Sequence, residues 1–129
     1  MALYAIGDTH LSLSSGKPMD VFGGGWTGDV DKLKEGFSQI RPEDTVVLCG
    51  DLSWAMGLEE AREDFAFLNA LPGKKLLMKG NHDYWWNTAA KMERFFQENG
   101  FTTFHLLHNN CHFYGDIALC GTRGWFYEE

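Results

Sequence analysis

Three short blocks of polar residues carry side chains that are well suited to bind metal ions. They read GDTH at residues 7–10, GDLSW at 50–54 and GNHD at 80–83. A single block of this kind would be no more than a tight turn, because Gly and Asn both tolerate positive φ. Together, the blocks offer carboxylate, amide and imidazole groups, which suit zinc, manganese or iron. They predict a metal site if the fold brings them to one place.

The elements before the blocks provide that placement. Apolar runs at residues 2–7, 45–50 and 74–80 predict buried strands of the parallel type, and each run ends in a Gly. Between them, apolar residues spaced by three and four over 30–40 and 58–68 predict amphipathic helices. The result is a βαβαβ unit with right-handed crossovers. Neighbouring parallel strands end at one edge of the sheet, so we expect Asp8, Asp51 and Asn81 to lie together there.

A change of pattern follows this unit. A third helix is predicted over 88–98, with Thr88 as its N-cap and Ala89, Met92 and Phe96 on its inner face. The runs FTTFHLL, CHFYG and IALCG after Gly100 are short and separated by turn residues, which predicts antiparallel hairpins. We therefore expect one α/β domain over residues 1–129, with a mainly parallel sheet and antiparallel strands at its C-terminal end.

Composition narrows the choice of partners. The net charge of −7, with 11 basic and 18 acidic side chains and no basic run, lacks the electrostatic footprint of a nucleic-acid-binding protein and suits cations. No apolar run approaches the roughly 20 residues that span a bilayer, so no membrane partner is expected. Three cysteines, an odd number without a Cys-x-x-Cys pair, and the lack of a leader-type segment favour a cytoplasmic location.

The three blocks occur in a fixed order, with 43 residues from Asp8 to Asp51 and 30 from Asp51 to Asn81. In order and content they resemble the signature of the calcineurin-like metallophosphoesterase superfamily, and the resemblance covers nearly the whole chain. It implies a four-layer α/β/β/α sandwich, of which this chain would form the first half. It also implies two divalent metal ions (Mn, Fe or Zn). Asp8 and His10 would hold one ion, Asn81 the other, and Asp51 would bridge them.

The resemblance implies a mechanism as well. Two cations about 4 Å apart lower the pKa of a bridging water and polarise the phosphoryl group, so that a metal-bridging hydroxide attacks phosphorus. His82 would not be a ligand but would face the leaving-group oxygen or the phosphoryl oxygens, while Asp83 would orient either His82 or the loop. The sequence has no Gly-x-Ser-x-Gly nucleophile elbow, which fits a reaction without a covalent intermediate.

The sequence also departs from the family pattern. Complete members carry a later His that follows another strand and then a Gly-His-x-His block, and this sequence has neither. The remaining histidines are His105, His108 and His112. They fit ordinary strand or turn positions better than positions of substitute ligands. The chain therefore resembles an N-terminal half, truncated at its C-terminus and of doubtful activity alone. The alternative is a non-catalytic metal- or partner-binding module.

Several other residues have two interpretations. Trp54 and Trp85 follow the second and third blocks, where they could stack an aromatic leaving group, although plain packing is favoured. Arg123 could reach a phosphate group or form a structural ion pair. The charged run at 59–64 predicts a solvated helix face. Finally, a missing second sheet would leave the apolar strand faces near Phe104, Phe113 and Ile117 uncovered. Uncovered faces of this kind would favour a homo-oligomer. The identity of the phosphoester substrate is not indicated.

Overall fold

The computed structural model describes residues 1–13 and 29–122, and within them it has an α/β fold. The strands and helices alternate along most of the chain: β1 (Leu3–Ile6), α1 (Asp29–Phe37), β2 (Thr45–Leu48), α2 (Arg62–Ala70), β3 (Lys74–Leu77), α3 (Ala89–Glu98), β4 (Phe104–Leu106), β5 (Asn110–Tyr114) and β6 (Ile117–Gly121). Strands β1 to β4 form one parallel sheet in the order β1-β2-β3-β4, and β5 pairs with β6 antiparallel. The predicted fold class is confirmed.

Strand β4 differs from the prediction. We expected antiparallel hairpin material after Gly100, but β4 lies parallel to β3, with Leu76 opposite His105. The reason is α3, whose ten residues carry the chain back along the sheet, so that the next strand runs in the same direction as β3. A three-residue strand is too short for its periodicity to reveal its direction.

The main core lies between the sheet and the helices. With four parallel strands in sequence order, right-handed crossovers place all three helices on one face. Phe65 of α2 lies at the centre of an aromatic group, with ring centroids 4.9 to 6.2 Å away in Trp85, Phe95, Phe96 and Phe104. The opposite face is partly open, since Leu3 of β1 is 37% exposed.

Helix α3 has the predicted start. The Thr88 hydroxyl accepts a hydrogen bond from the Lys91 backbone N–H (3.3 Å), which confirms Thr88 as the N-cap. Met92 and Phe96 are buried, as expected, and so is Phe95. Ala89 lines the same cavity as Met92 and Phe96, which agrees with its predicted face, but it is exposed.

The β5–β6 hairpin confirms the prediction for its two strands. It turns at Gly115, whose φ of +56° suits a residue without a Cβ. Phe113 and Ile117 are 77% and 57% exposed, as expected of an uncovered sheet, but Phe104 is buried in the core at 7% exposure, contrary to expectation. Its side chain points toward α3, not toward the open face.

A disulfide joins Cys111 and Cys120, which lie directly opposite each other in the hairpin. Cys49 is a free, exposed thiol. The two cysteines are nine residues apart in the sequence, and the pairing of β5 with β6 brings them together. The cysteine count alone did not reveal this disulfide. The disulfide gives no support to the reducing location inferred from that count. In the described ranges, no helix is long and apolar enough to cross a bilayer.

Candidate metal centre

The loops that follow β1 and β2 run side by side at the carboxyl edge of the sheet. Their backbones are joined by hydrogen bonds from Asp8 N–H to Gly50 O (3.1 Å), from His10 N–H to Asp51 O (2.9 Å) and from Leu11 N–H to Leu52 O (2.8 Å). Parallel pairing of β1 with β2 sets this register. The first two polar blocks are therefore fixed against each other through the main chain.

Asp8, His10 and Asp51 converge on one point. One ligand atom from each residue lies within 4.8 Å of the corresponding atoms of the other two. All three have left-handed backbone conformations, with φ of +57°, +44° and +50°. In the described part of the chain, they are three of the four non-glycine residues with positive φ. Such conformations cost of order 1–3 kcal/mol each and persist where the surrounding structure enforces them, typically at functional sites.

Asn81 extends this cluster from the β3 loop. One end of its amide lies 3.1 and 3.0 Å from the two carboxylate oxygens of Asp51. With nitrogen at that end, the amide donates to Asp51. With oxygen there, three oxygens face one another, and only a cation between them would make that arrangement favourable. The geometry thus suits either a metal-free or a metal-bound state.

His82 contacts the same carboxylate. Its backbone N–H donates to Asp51 Oδ1 (2.9 Å), and its ring Nδ1 lies 3.1 Å from Oδ2. Burial acts to raise the pKa of Asp51, but the hydrogen bonds from His82, together with the charges of His82 and His10, lower it overall. Asp51 is therefore held as an anion at the centre of the cluster.

Two glycines allow the second and third loops to touch. A Cβ on Gly80 would lie 2.1 Å from Asp51 Oδ1, and one on Gly50, which has a φ of +107°, would lie 2.6 Å from the Gly80 nitrogen. Any side chain at either position would force the loops apart. The glycines of the blocks therefore serve close approach as well as turning.

Asp83 has a positional role. It is 1% exposed, and its carboxylate accepts hydrogen bonds from the backbone N–H groups of Asp51, Leu52 and Gly80 at 2.7 to 2.8 Å and from the Trp85 indole at 3.0 Å. Burial raises the pKa of Asp83, against the effect of these four donors. No hydrogen bond to the His82 ring is found in the described residues. Of the two roles expected for Asp83, these contacts favour orienting the loops, and its catalytic assignment stays a prediction.

Asp64 is a residue that the sequence analysis missed. We expected the charged run 59–64 to be solvated, yet Asp64 is 1% exposed. It accepts hydrogen bonds from the Ser53 hydroxyl (2.5 Å) and the Leu13 backbone N–H (2.8 Å), which ties the first two loops to α2. Burial raises the pKa of Asp64. The signal was present, because Asp64 lies three residues after buried Ala61 and four before buried Leu68.

The two tryptophans considered for stacking a leaving group, Trp54 and Trp85, lie in different environments. Trp54 stacks on His10, with ring centroids 5.0 Å apart and planes at 27°. Trp85 is 1% exposed and donates to Asp83, so it belongs to the core and offers no face to a substrate. The packing alternative is correct for Trp85. Arg123 lies outside the described residues.

The three later histidines lie apart from this cluster. His112 donates through Nε2 to Leu106 O (2.8 Å) and has its ring 6.0 Å from that of His105. His108 packs edge-on against Trp86 at 5.3 Å. In the described ranges, the metal-type cluster of three or more ligands contains none of them. Their contacts agree with ordinary structural histidines.

The comparisons with known proteins agree with this geometry. The sequence matches the family model described as calcineurin-like phosphoesterase over residues 1–127. Among curated proteins, none matches. The fold is similar to the crystal structure of the protein of unknown function AQ665 from Aquifex aeolicus, with 22% identity and a TM-score of 0.56. That match covers 87% of this chain and 54% of AQ665, so the chain spans about half the length of that protein. The chain belongs to the calcineurin-like phosphoesterase family.

Proposed function

We propose that this chain carries the first part of a dinuclear metal site for phosphoester hydrolysis. The observation that supports this most directly is the convergence of Asp8, His10 and Asp51 within 4.8 Å, each in a left-handed backbone conformation. The Asp8 and Asp51 carboxylates repel each other at this distance, and a bound cation would offset that repulsion.

The donor set fits divalent Mn, Fe or Zn. Asp8 and His10 would hold one ion, Asn81 would hold a second through its amide oxygen, and Asp51 would be shared. The Asn81 amide lies 3.0 and 3.1 Å from the two Asp51 oxygens, close enough for one cation to contact both side chains. When bound, such ions would polarise the phosphoryl group and supply an activated water.

His82 would assist departure of the leaving group. Its Nδ1 is held by Asp51 at 3.1 Å, which leaves Nε2 as the ring nitrogen able to donate a proton to an alkoxide. The His82 side chain is 39% exposed, so a substrate can reach it. Asp83 acts indirectly, because it holds the backbone of Asp51 and Gly80 in place.

If residues 1–129 belong to a longer enzyme, the decisive experiment compares two variants of that enzyme. Asp51→Asn should lower manganese affinity by more than about 100-fold, since even residues behind the ligands change affinity by about 10- to 100-fold. His82→Ala should keep near-normal metal content but lower turnover of an aryl phosphate by about 10²- to 10⁴-fold. Metal analysis and initial rates measure both. Loss of metal in His82→Ala would contradict the role given to His82.

The second candidate is a non-catalytic metal- or partner-binding module. This candidate is favoured by the small number of metal ligands that the described residues offer. Asp8, His10 and Asp51 lie close together for one ion, and the second ion would have fewer ligands. For residues 1–129 alone, we expect weak manganese binding and slow hydrolysis of an aryl phosphate. Tight binding of two ions with ordinary turnover would contradict the half-site proposal and return His105, His108 and His112 as ligand candidates.

Association through the hairpin is part of the same proposal. Phe113 and Ile117 are 77% and 57% exposed on a two-stranded sheet, and exposed apolar strands favour self-association. Gel filtration of residues 1–129 should show dimers or larger species, and a Phe113→Ser, Ile117→Thr double variant should shift them toward monomer. A wild-type chain that elutes as a monomer at all concentrations would contradict this part.

A further inference from the structure

Trp54 occupies a fixed position beside the candidate metal centre. Its backbone N–H donates to Leu11 O (2.9 Å), so the residue is held against the β1 loop one position after His10. Its ring then stacks on the His10 imidazole at 5.0 Å and 27°. The contact joins the second polar block to a proposed ligand of the first.

The same indole contacts the second imidazole of the site. The Trp54 and His82 ring centroids are 5.4 Å apart with planes at 45°, and the two imidazoles are 5.9 Å apart. Both imidazoles approach one oxygen of Asp51, with Nε2 of His10 at 3.9 Å and Nδ1 of His82 at 3.1 Å. Trp54 thus packs against both rings that face this carboxylate.

We propose that Trp54 is a positioning residue that fixes the ring orientations of His10 and His82, an inference that rests on the proposed function. Imidazole rings rotate easily about χ2, and a neighbouring aromatic plane restricts that rotation. A ligand that is already oriented loses less conformational entropy when a cation binds. Stacking on His10 also occupies part of the indole, so Trp54 is less suited to stack a leaving group.

The polar edge of Trp54 supports this role. Its indole Nε1 is buried and has no hydrogen-bond partner in the part of the chain that the structure describes. Within that part, the ring is therefore held by packing against the two imidazoles, not by a hydrogen bond. An aromatic side chain without an N–H should perform the same function.

The test uses Trp54→Leu, which removes the aromatic plane, and Trp54→Phe, which retains one. Trp86→Leu is the matched control, because Trp86 packs against Trp85 and His108. NMR of side-chain histidine signals, without added metal, should show upfield ring-current shifts for His10 and His82 that Trp54→Leu removes and Trp54→Phe largely keeps. Manganese titration should show about 10-fold weaker binding for Trp54→Leu, with Trp54→Phe and Trp86→Leu within about threefold of wild type.

Each result has a clear consequence. Unchanged histidine shifts and metal affinity in Trp54→Leu would overturn the proposal, and so would a Trp54→Phe variant as impaired as Trp54→Leu. If Trp54→Leu does not fold, the wild-type ring-current shifts and the Trp54→Phe affinity still decide the question. If the wild-type protein binds no manganese, the proposed function fails. The metal-free NMR comparison then still tests whether Trp54 packs against the two imidazoles.

Discussion

The two ends of the parallel sheet both bury charged groups, but they use them differently. At the amino end, Lys75 and Asp44 are 0% and 3% exposed. The Lys75 ammonium donates to the Leu71 carbonyl and to the Thr103 hydroxyl (3.3 Å), and Asp44 accepts from the backbone N–H groups of Ala2 and Arg41. These groups complete hydrogen bonds at element ends.

The carboxyl end adds features that the amino end lacks. Asp83 and Asp64 also accept hydrogen bonds from backbone N–H groups and a hydroxyl. However, these bonds hold in place the loops that contain Asp8, His10 and Asp51, which all have positive φ. In the described residues, none of the positive-φ non-glycine positions lies at the amino end of the sheet. Burial of charge therefore does not identify a site by itself. A site is identified by strained backbone together with side chains that converge on an open point.

Among the substitutions that test this difference between the two ends of the sheet, we expect Gly80→Ala to have the largest effect. Gly80→Ala should destabilise the protein by about 1–3 kcal/mol and lower its manganese affinity, because its Cβ would lie 2.1 Å from Asp51 Oδ1. Gly57→Ala is the control, since no heavy atom lies within 4 Å of the Cβ it would add. Urea denaturation and manganese titration measure both effects. Equal behaviour of the two variants would show that the loops can separate without cost.

Asp83→Asn should have the next largest effect. The amide would keep one acceptor oxygen and turn an NH₂ group toward backbone donors, so we expect a loss of about 1–3 kcal/mol and weaker metal binding. Asp44→Asn should change stability but leave metal affinity unaltered, because Asp44 lies at the other end of the sheet. The comparison requires chemical denaturation and metal titration of both variants. A fall in metal affinity for Asp44→Asn would contradict the separation of the two ends.

The smallest expected effect is the pH dependence that Lys75 contributes. Burial lowers the pKa of Lys75 from its ordinary value near 10.5 to about 8. Between these values the unfolded chain binds the proton and the folded chain does not. The free energy of unfolding should therefore rise with pH from about 8 to about 10.5, by about 1–2 kcal/mol once screening is allowed for.

Lys75→Met should remove this rise, whereas Lys91→Met, at an exposed position of α3, should keep it. Denaturation midpoints between pH 7 and 11 provide the measurement, and the difference between variants cancels the contribution of other lysines and tyrosines. Equal slopes in wild type and Lys75→Met would show that the ammonium remains solvated in the folded protein.

Local sequence patterns determined much of this protein. Apolar runs that end in Gly fixed β1, β2 and β3, helical spacing fixed α1 and α2, and Thr88 marked the start of α3. The polar blocks after those strands followed from the same pattern, because parallel strands end at a common edge. The family assignment required only the order and content of these blocks, and the family match over residues 1–127 confirmed it.

Tertiary structure decided what depended on long-range contacts. The direction of β4, the hydrogen-bond partners of Asp64 and the role of Asp83 each depend on residues distant in the sequence, which a local pattern cannot encode. Asp83 illustrates the reason. Its neighbours in GNHD suggested chemistry, but two of its four donors are the backbone N–H groups of Asp51 and Leu52, which only the folded loops bring to 2.8 Å. The sequence determined which groups could act, and the packing of the loops determined which of them remain open to a metal ion or a substrate.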